Sequence, residues 1–186
     1  MKPFASARKK HLPLDEQALY DYALRSLGRR MRTEAELRRL MQSRVEPGEE
    51  GQVKIAAVLA RLKEYRFLDD TAYAADFTRL RQENARFGRR RVAQDLKAKG
   101  VASEIVATTL DSAYENVNEE ALAREHLERK GVRQPSNDKE SARLMRMLLR
   151  AGFSMGTIYK LLRNWNASEE TLAALVEGEP EEPHEL

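Results

Sequence analysis

A pattern of about 50 residues occurs three times along this chain of 186 residues, as it does in proteins built from tandem helical modules. Each copy contains a leucine, a turn position four residues later and then an apolar residue. The copies are Leu40, Arg44 and Val45; Leu96, Gly100 and Val101; and Leu148, Gly152 and Phe153. Because each module has only a small core, we expect neighbouring modules to pack against one another.

The sequence between these positions has the composition and spacing of α-helices. The six prolines lie near the termini or in evident loops, and the stretches between them are rich in strong helix formers. Each copy begins with a residue suited to cap a helix, namely Asp15, Asp69 or Asn118. Thr33 and Glu36 have the spacing of a capping box, in which two side chains satisfy free amides at a helix start. We therefore predict an all-α fold of three tandem three-helix repeats, helix-turn-helix-like, elongated and curved.

Apolar residues recur at helical spacing and predict which face of each helix is buried. In repeat 1 these residues are Ala18, Leu19, Tyr22, Ala23, Leu27, Leu37, Leu40, Met41, Ile55, Leu59 and Leu62. In repeat 2 they are Tyr73, Phe77, Leu80, Val92, Leu96, Val106, Leu110 and Ala113. In repeat 3 they are Leu122, His126, Met145, Leu148, Leu149, Ile158, Leu162 and Trp165.

The same pattern divides the chain into segments. We predict a flexible basic N-terminus and an acidic disordered tail, with a short terminal helix before the tail that holds Leu172 and Leu175. The segments are residues 1–13 for the N-terminus, 14–66, 67–116 and 117–166 for the three repeats, 167–177 for the short helix and 178–186 for the tail.

Composition argues against catalysis. The chain has no cysteine, and its three histidines are not grouped with carboxylates at metal-ligand spacing, so we predict no catalytic residue, no metal and no cofactor. No phosphate-binding glycine motif is present. His126 lies on a predicted apolar stripe, where a hydrogen-bonded packing role is expected. The sequence also lacks a membrane-length apolar run and a signal-peptide pattern, which predicts a cytoplasmic protein.

The most informative charged feature is a basic run around Phe87 and Gly88. The net charge of the whole chain is only +3, but this run is densely cationic and spans a helix end, a turn and a helix start. Arginines at a helix N-terminus oppose the helix dipole, so the run predicts an anion there, bound by free amides. A sparser cationic set occurs in repeat 3. The predicted binding residues are Arg79, Arg81, Arg86, Arg89, Arg90, Arg91, Lys97, Arg143, Arg146, Arg150, Lys160 and Arg163.

Two other functions fit part of this pattern. The short turn before the last helix of each repeat is similar to a helix-turn-helix, which favours a DNA-binding protein that acts on transcription. The last helix of repeat 2 opens with Ser103 and Glu104, however, and an acidic start disfavours base reading. A helical scaffold with no nucleic-acid context is the third alternative.

The order and spacing of several short segments resemble those of the RecX regulatory proteins, which modulate the bacterial RecA recombinase. The resemblance covers residues 14–165 and is most specific in repeat 2. It departs from the family pattern in the acidic loop 45–51 and in the missing glycine of repeat 1. The segments are residues 18–27 and 32–37 in repeat 1; Phe67-Leu68-Asp69-Asp70, Tyr73-Ala74, residues 87–92 and residues 95–101 in repeat 2; and residues 148–154 in repeat 3.

The resemblance implies three tandem three-helix repeats and a protein that is not an enzyme. It implies binding to the RecA filament on single-stranded DNA and leaves open whether the protein contacts that DNA directly. We also predict a monomer with no membrane partner. Inhibition of the recombinase and ATPase activities of RecA is the implied outcome, in homologous recombination and the SOS response.

Overall fold

A computed structural model describes residues 12–165, and within that range the chain forms nine α-helices and no strand. The predicted all-α repeat fold is confirmed. The predicted short helix at 167–177, the acidic tail at 178–186 and nearly all of the basic N-terminus lie outside the described residues. The helices are α1 Glu16–Leu27, α2 Glu34–Gln42, α3 Glu49–Glu64, α4 Asp70–Ala85, α5 Arg89–Ala98, α6 Ser103–Tyr114, α7 Glu119–Arg129, α8 Asp138–Arg150 and α9 Met155–Asn164.

The chain divides into two compact units, and the boundary between them falls inside α4. Unit 1 comprises the residues up to Tyr73 together with Lys99–Val101, and unit 2 comprises Ala74–Ala98 and the residues from Ala102 onward. Each unit has a hydrophobic core made from helix faces. The core of unit 1 contains Leu19, Tyr20, Ala23, Leu37, Met41, Ile55, Val58, Leu59, Leu62 and Leu68. A core in unit 2 contains Leu122, Ala123, Leu127, Leu144, Leu148, Ala151, Phe153, Ile158, Leu161 and Leu162.

The predicted caps are present. The side chains of Asp15 and Asn118 each accept a hydrogen bond from the first turn of their own helix, and Asp69 Oδ1 accepts from the amides of Thr71 and Ala72. In the predicted capping box, Thr33 Oγ1 accepts from the amide of Glu36. The Glu36 carboxylate does not complete the box, because it accepts instead from Lys99 Nζ at 2.8 Å.

Two predicted core positions are wrong. Leu80 of α4 is 47% exposed and Leu149 of α8 is 38% exposed. The face of α4 that is buried carries Ala74 and Thr78. Leu80 follows Thr78 by two residues, so it points about 200° away from the buried face, and Leu149 is turned about 100° from the buried Leu148. In α4 packing buries a different face from the predicted one, whereas in α8 the predicted Leu148 is buried and only Leu149 points away.

Within the described chain no helix is both long enough and apolar enough to span a membrane.

Candidate cationic binding surfaces

The start of α5, where an anion was predicted, is occupied by another turn of the protein. The amide of Gly88 donates to the carbonyl oxygen of Ala151 at 2.9 Å, and the amide of Arg90 donates to that of Gly152 at 3.3 Å. Both carbonyls belong to the turn between α8 and α9. The prediction of free amides for an anion at this helix start is therefore wrong, since carbonyl groups within unit 2 satisfy two of them.

This contact also explains why arginines are tolerated there. The C-terminal end of α8 carries partial negative charge, and it lies against the first turn of α5. Arg91 Nη1 donates to the carbonyl oxygen of Arg150 at 3.4 Å, and Arg91 Nε donates to Asp95 at 3.0 Å. Arg89 Nη2 pairs with Asp111 at 2.6 Å. The sequence predicts that these arginines cost some stability unless an anion lies beside them, and the structure places negative groups of the protein itself beside Arg89 and Arg91.

The preceding arginines of the run also have internal partners. Arg81 Nη2 lies 3.4 Å from Asp95, and Arg86 Nε lies 2.7 Å from Glu125. Arg79 pairs with two carboxylates of its own helix. Arg90 is exposed. Most of the positive charge that made this run conspicuous in the sequence is therefore opposed by carboxylates within the protein.

The predicted cations of α8 and α9 are different. Arg143, Arg146 and Arg150 are exposed, and their i, i+3, i+7 spacing places them on one face of α8. Lys160 and Arg163 are exposed on α9. No ion pair joins any of these five side chains to another described residue, and residues 141–165 contain no Asp or Glu. Lys97 of α5 is likewise exposed and without an ion pair inside the described range. Together the five side chains on α8 and α9 are called here the α8–α9 cationic surface.

The start of α9 is fixed by a carboxylate of α7. Glu119 accepts hydrogen bonds from the amide of Ser154 at 2.8 Å and from the hydroxyl groups of Ser154 and Thr157. Ser154 Oγ in turn accepts from the amide of Thr157. These bonds set the direction of α9 and hence the positions of Lys160 and Arg163.

Unit 1 has exposed arginines that the sequence reasoning missed. Arg25, Arg29 and Arg30 are exposed and form no ion pair with another described residue. The sequence could have indicated them, because Gly28-Arg29-Arg30 has the same residues as Gly88-Arg89-Arg90 in the basic run around Gly88.

His126 has the packing role that its position predicted. It is only 3% exposed, and its Nδ1 lies 2.7 Å from the carbonyl oxygen of Ala85. The rings of Phe87 and Phe153 each lie with their centroids 5.8 Å from the imidazole centroid. Among residues 12–165, no group of three or more His, Asp or Glu side chains is placed to hold a metal ion.

The contact at the start of α5 has a counterpart in unit 1. There Thr33 Oγ1, just before α2, donates to the carbonyl oxygen of Lys99 at 2.7 Å. Lys99 immediately precedes Gly100, as Ala151 precedes Gly152. In unit 1 the turn before α6 contacts the start of α2, and in unit 2 the turn before α9 contacts the start of α5. In each case the turn of one repeat contacts the middle helix of the preceding repeat. The fold and its surfaces define a tandem three-helix repeat protein with exposed cationic faces.

Comparison with known proteins identifies the family. Family models for the second and third three-helix domains of RecX match residues 69–110 and 118–162. The regulatory protein RecX of Mycolicibacterium smegmatis is 35% identical over 152 residues, which is 79% of this chain and 79% of that protein. That of Mycobacterium leprae is 39% identical over 108 residues, covering 56% of this chain and 63% of the relative. The chain belongs to the RecX family, and its role is regulatory.

Solved structures agree with the fold. The crystal structure of RecX from Lactobacillus salivarius matches with a TM-score of 0.63 and 19% identity, over 81% of this chain and 96% of that one. A second crystal structure, of a regulatory protein RecX, matches with a TM-score of 0.65 and 22% identity, over 80% of this chain and 71% of that one.

Proposed function

We propose that this protein binds the RecA filament on single-stranded DNA and inhibits the recombinase and ATPase activities of RecA. It does so as a monomeric, non-enzymatic regulator in the cytoplasm. Membership in the RecX family supports this proposal, and the predicted cationic residues supply the contact surface.

The observation that carries the proposal is the α8–α9 cationic surface. Its five side chains are exposed and none forms an ion pair with a described residue, so binding an anionic surface requires no internal ion pair to break. By contrast, a ligand that binds Arg89 or Arg91 must compete with the internal ion pair of that side chain. The anionic surface is provided by RecA, by the phosphates of the bound strand, or by both at once.

The test is a triple variant, Arg143→Glu, Arg146→Glu and Arg150→Glu. Because these side chains are exposed and form no ion pair, helicity should stay close to that of the wild type. The melting temperature should fall only slightly, since Arg150 lies at the negative C-terminal end of α8. Co-sedimentation with RecA–single-stranded DNA filaments should fall by about tenfold or more, since reversed charges are repelled by the same surface. Inhibition of RecA-driven strand exchange and of DNA-stimulated ATP hydrolysis should be lost with it.

A control variant reverses the same number of cations that already have internal partners. Arg38→Glu, Lys54→Glu and Arg124→Glu each remove one side of an internal ion pair and change the net charge equally, and filament binding should be unchanged. Wild-type inhibition by the Arg143, Arg146 and Arg150 variant would contradict the proposed surface. Tight binding of the wild-type protein to one duplex sequence, with no binding to filaments, would favour the transcriptional alternative instead.

A further inference from the structure

Two turns of this protein are built in nearly the same way. Arg66 follows α3 and Arg86 follows α4, and both have positive φ angles, 57° and 51°. Each is followed by a phenylalanine whose amide donates back into the helix, Phe67 to Leu62 at 2.9 Å and Phe87 to Arg81 at 3.4 Å. A left-handed conformation is unfavourable for a residue with a Cβ atom, so glycine would be the more stable choice at both arginines.

In unit 2 the arginine and the phenylalanine of this turn are both covered by α7. Glu125 pairs with Arg86 Nε at 2.7 Å, and the ring of His126, the next residue, packs on Phe87. Phe87 is part of the shell around the hydrophobic core of the unit. Two adjacent residues of α7 thus contact both residues of the turn: the carboxylate of Glu125 pairs with Arg86, and the ring of His126 packs on Phe87.

In unit 1 the corresponding residues are uncovered. Phe67 is 55% exposed and the neighbouring Tyr65 is 58% exposed. Arg66 is exposed and has no ion pair with another described residue. The turn is nevertheless well fixed, because the amides of Tyr65 and Arg66 both donate to the last turn of α3 and Leu68 is buried. Exposed Tyr, Arg and Phe on a rigid turn are the residues that dominate the binding energy of protein interfaces.

We propose that the Tyr65–Phe67 turn is a docking site for a helix of a partner protein. That helix would present a carboxylate to Arg66 and an apolar or aromatic side chain to Phe67, as α7 does for Arg86 and Phe87. The inference rests on the proposed function for the identity of the partner, which is RecA in its filament. The turn is a contact separate from the α8–α9 cationic surface.

The local charge favours a protein partner over a nucleic acid. The turn is flanked by the exposed carboxylates of Glu64 and Asp69, so phosphates would meet negative charge on either side of Arg66. A helix with a single acidic side chain can contact Arg66 alone. Stacking of DNA bases on Tyr65 and Phe67, and pairing of two copies of this chain through the turn, are the rival outcomes of the test.

The key variant is Arg66→Gly, which separates stability from binding. Glycine relieves the left-handed conformation, so its melting temperature should be equal to or above that of the wild type. A purely structural role for the turn predicts unchanged or better binding. The docking proposal predicts weaker binding despite equal or greater stability, by about tenfold in the Kd for RecA–single-stranded DNA filaments, because the charged contact is lost.

Phe67→Ala should weaken filament binding to a similar extent, and Leu80→Ala, which shortens an exposed leucine elsewhere, should leave it unchanged. Affinity for single-stranded DNA alone and the sedimentation coefficient of the free protein should not change in any variant.

Wild-type filament affinity for Arg66→Gly and Phe67→Ala would overturn the proposal. So would a parallel loss of affinity for DNA alone, or a wild-type dimer that Phe67→Ala dissociates. Failure of the wild-type protein itself to bind filaments would refute the proposed function, and this inference with it.

Discussion

Gly152 lies where two backbones of unit 2 come close together, and this is where a single methyl group should matter most. A Cβ on Gly152 would lie 2.1 Å from the amide nitrogen of Arg91, and the residue has a φ of 86°. Gly152→Ala therefore combines a steric clash with backbone strain and separates Gly88 from Ala151. We expect it to lower the free energy of unfolding by about 2 kcal/mol or more, measured by urea denaturation followed by circular dichroism.

Gly156 provides a matched control four residues along the chain. It lies in the first turn of α9, and a Cβ there would meet no atom within 4 Å. Gly156→Ala should therefore raise stability by about 0.5 to 1 kcal/mol, because alanine loses less conformational entropy in a helix. Equal effects of the two substitutions would contradict the close approach of the α8–α9 turn to α5.

The contacts of this turn also explain a residue that departs from the family pattern. Gly100 and Gly152 occur where the turn of one repeat contacts the preceding repeat, and the aligned residue of repeat 1 is Arg44. No three-helix repeat precedes repeat 1 in the described chain, so its turn has no such backbone to approach. Arg44 can carry a side chain, which lies over the ring of Tyr22 at 4.9 Å. The spacing in the sequence predicts the two glycine turns. Why Arg44 replaces glycine in repeat 1 follows only from the contacts that Gly100 and Gly152 make in the structure.

At the scale of the helices, the adjacent aspartates before α4 stabilise two different elements. Asp69 caps α4, whereas Asp70 Oδ1 accepts from the amide of Glu34 at the start of α2, at 2.9 Å. Asp70→Ala should cost about 1 kcal/mol and speed hydrogen exchange of the Glu34 amide. Asp69→Ala should cost a similar amount, about 1 kcal/mol, and speed exchange at Thr71 and Ala72 instead. Faster exchange at the same amides in both variants would contradict this division.

Asp70→Asn distinguishes the hydrogen bond from the charge. Burial raises the pKa of Asp70, so the folded protein binds this proton more tightly than the unfolded chain does. The contribution of Asp70 to the free energy of unfolding therefore decreases as the pH rises through that pKa. Asparagine keeps the acceptor without the charge, so Asp70→Asn should be less destabilising than Asp70→Ala at pH 7. As the pH falls through the raised pKa of Asp70, the free energy of unfolding of the wild type, measured by urea denaturation, should increase relative to that of Asp70→Asn, and the increase should be complete below the ordinary aspartate value of 3.8.

Helix positions and caps could be predicted because they depend on local sequence. Each predicted cap at the start of a repeat binds its own helix, and the predicted all-α pattern is observed throughout the described residues. The buried face of α4 could not be predicted, since Ala74 and Thr78 are small and do not stand out among nearby aromatic and leucine residues. The second partner of Asp70 was equally hidden, because it lies 36 residues away in the chain.

For the molecule as a whole, the density of cationic residues in the sequence differs from the positive charge that remains after internal ion pairs have formed. The sequence predicted both cationic sets, and it ranked the run around Gly88 first because that run is denser. Pairing depends on tertiary contacts with Asp111, Glu125 and the α8 C-terminus, none of which is a sequence neighbour of the arginine it meets. Once those contacts are counted, the sparser α8–α9 cationic surface has the most positive charge left for a partner in unit 2.

This difference predicts how binding responds to salt. Each phosphate contact by a cation releases counterions, and the slope of log affinity against log salt changes by about 0.7 per contact on single strands. Neutralising all five cations of the α8–α9 surface to glutamine should therefore lower the slope for RecA–single-stranded DNA filaments by about 2 to 3, if three or four of them reach phosphate. A control of equal net charge would replace Arg38, Lys54, Lys63, Lys99 and Arg124, all of which form internal ion pairs. It should leave the slope nearly unchanged. Equal decreases in the two variants, measured by fluorescence anisotropy between low and physiological salt, would show that net charge and not this surface governs the interaction.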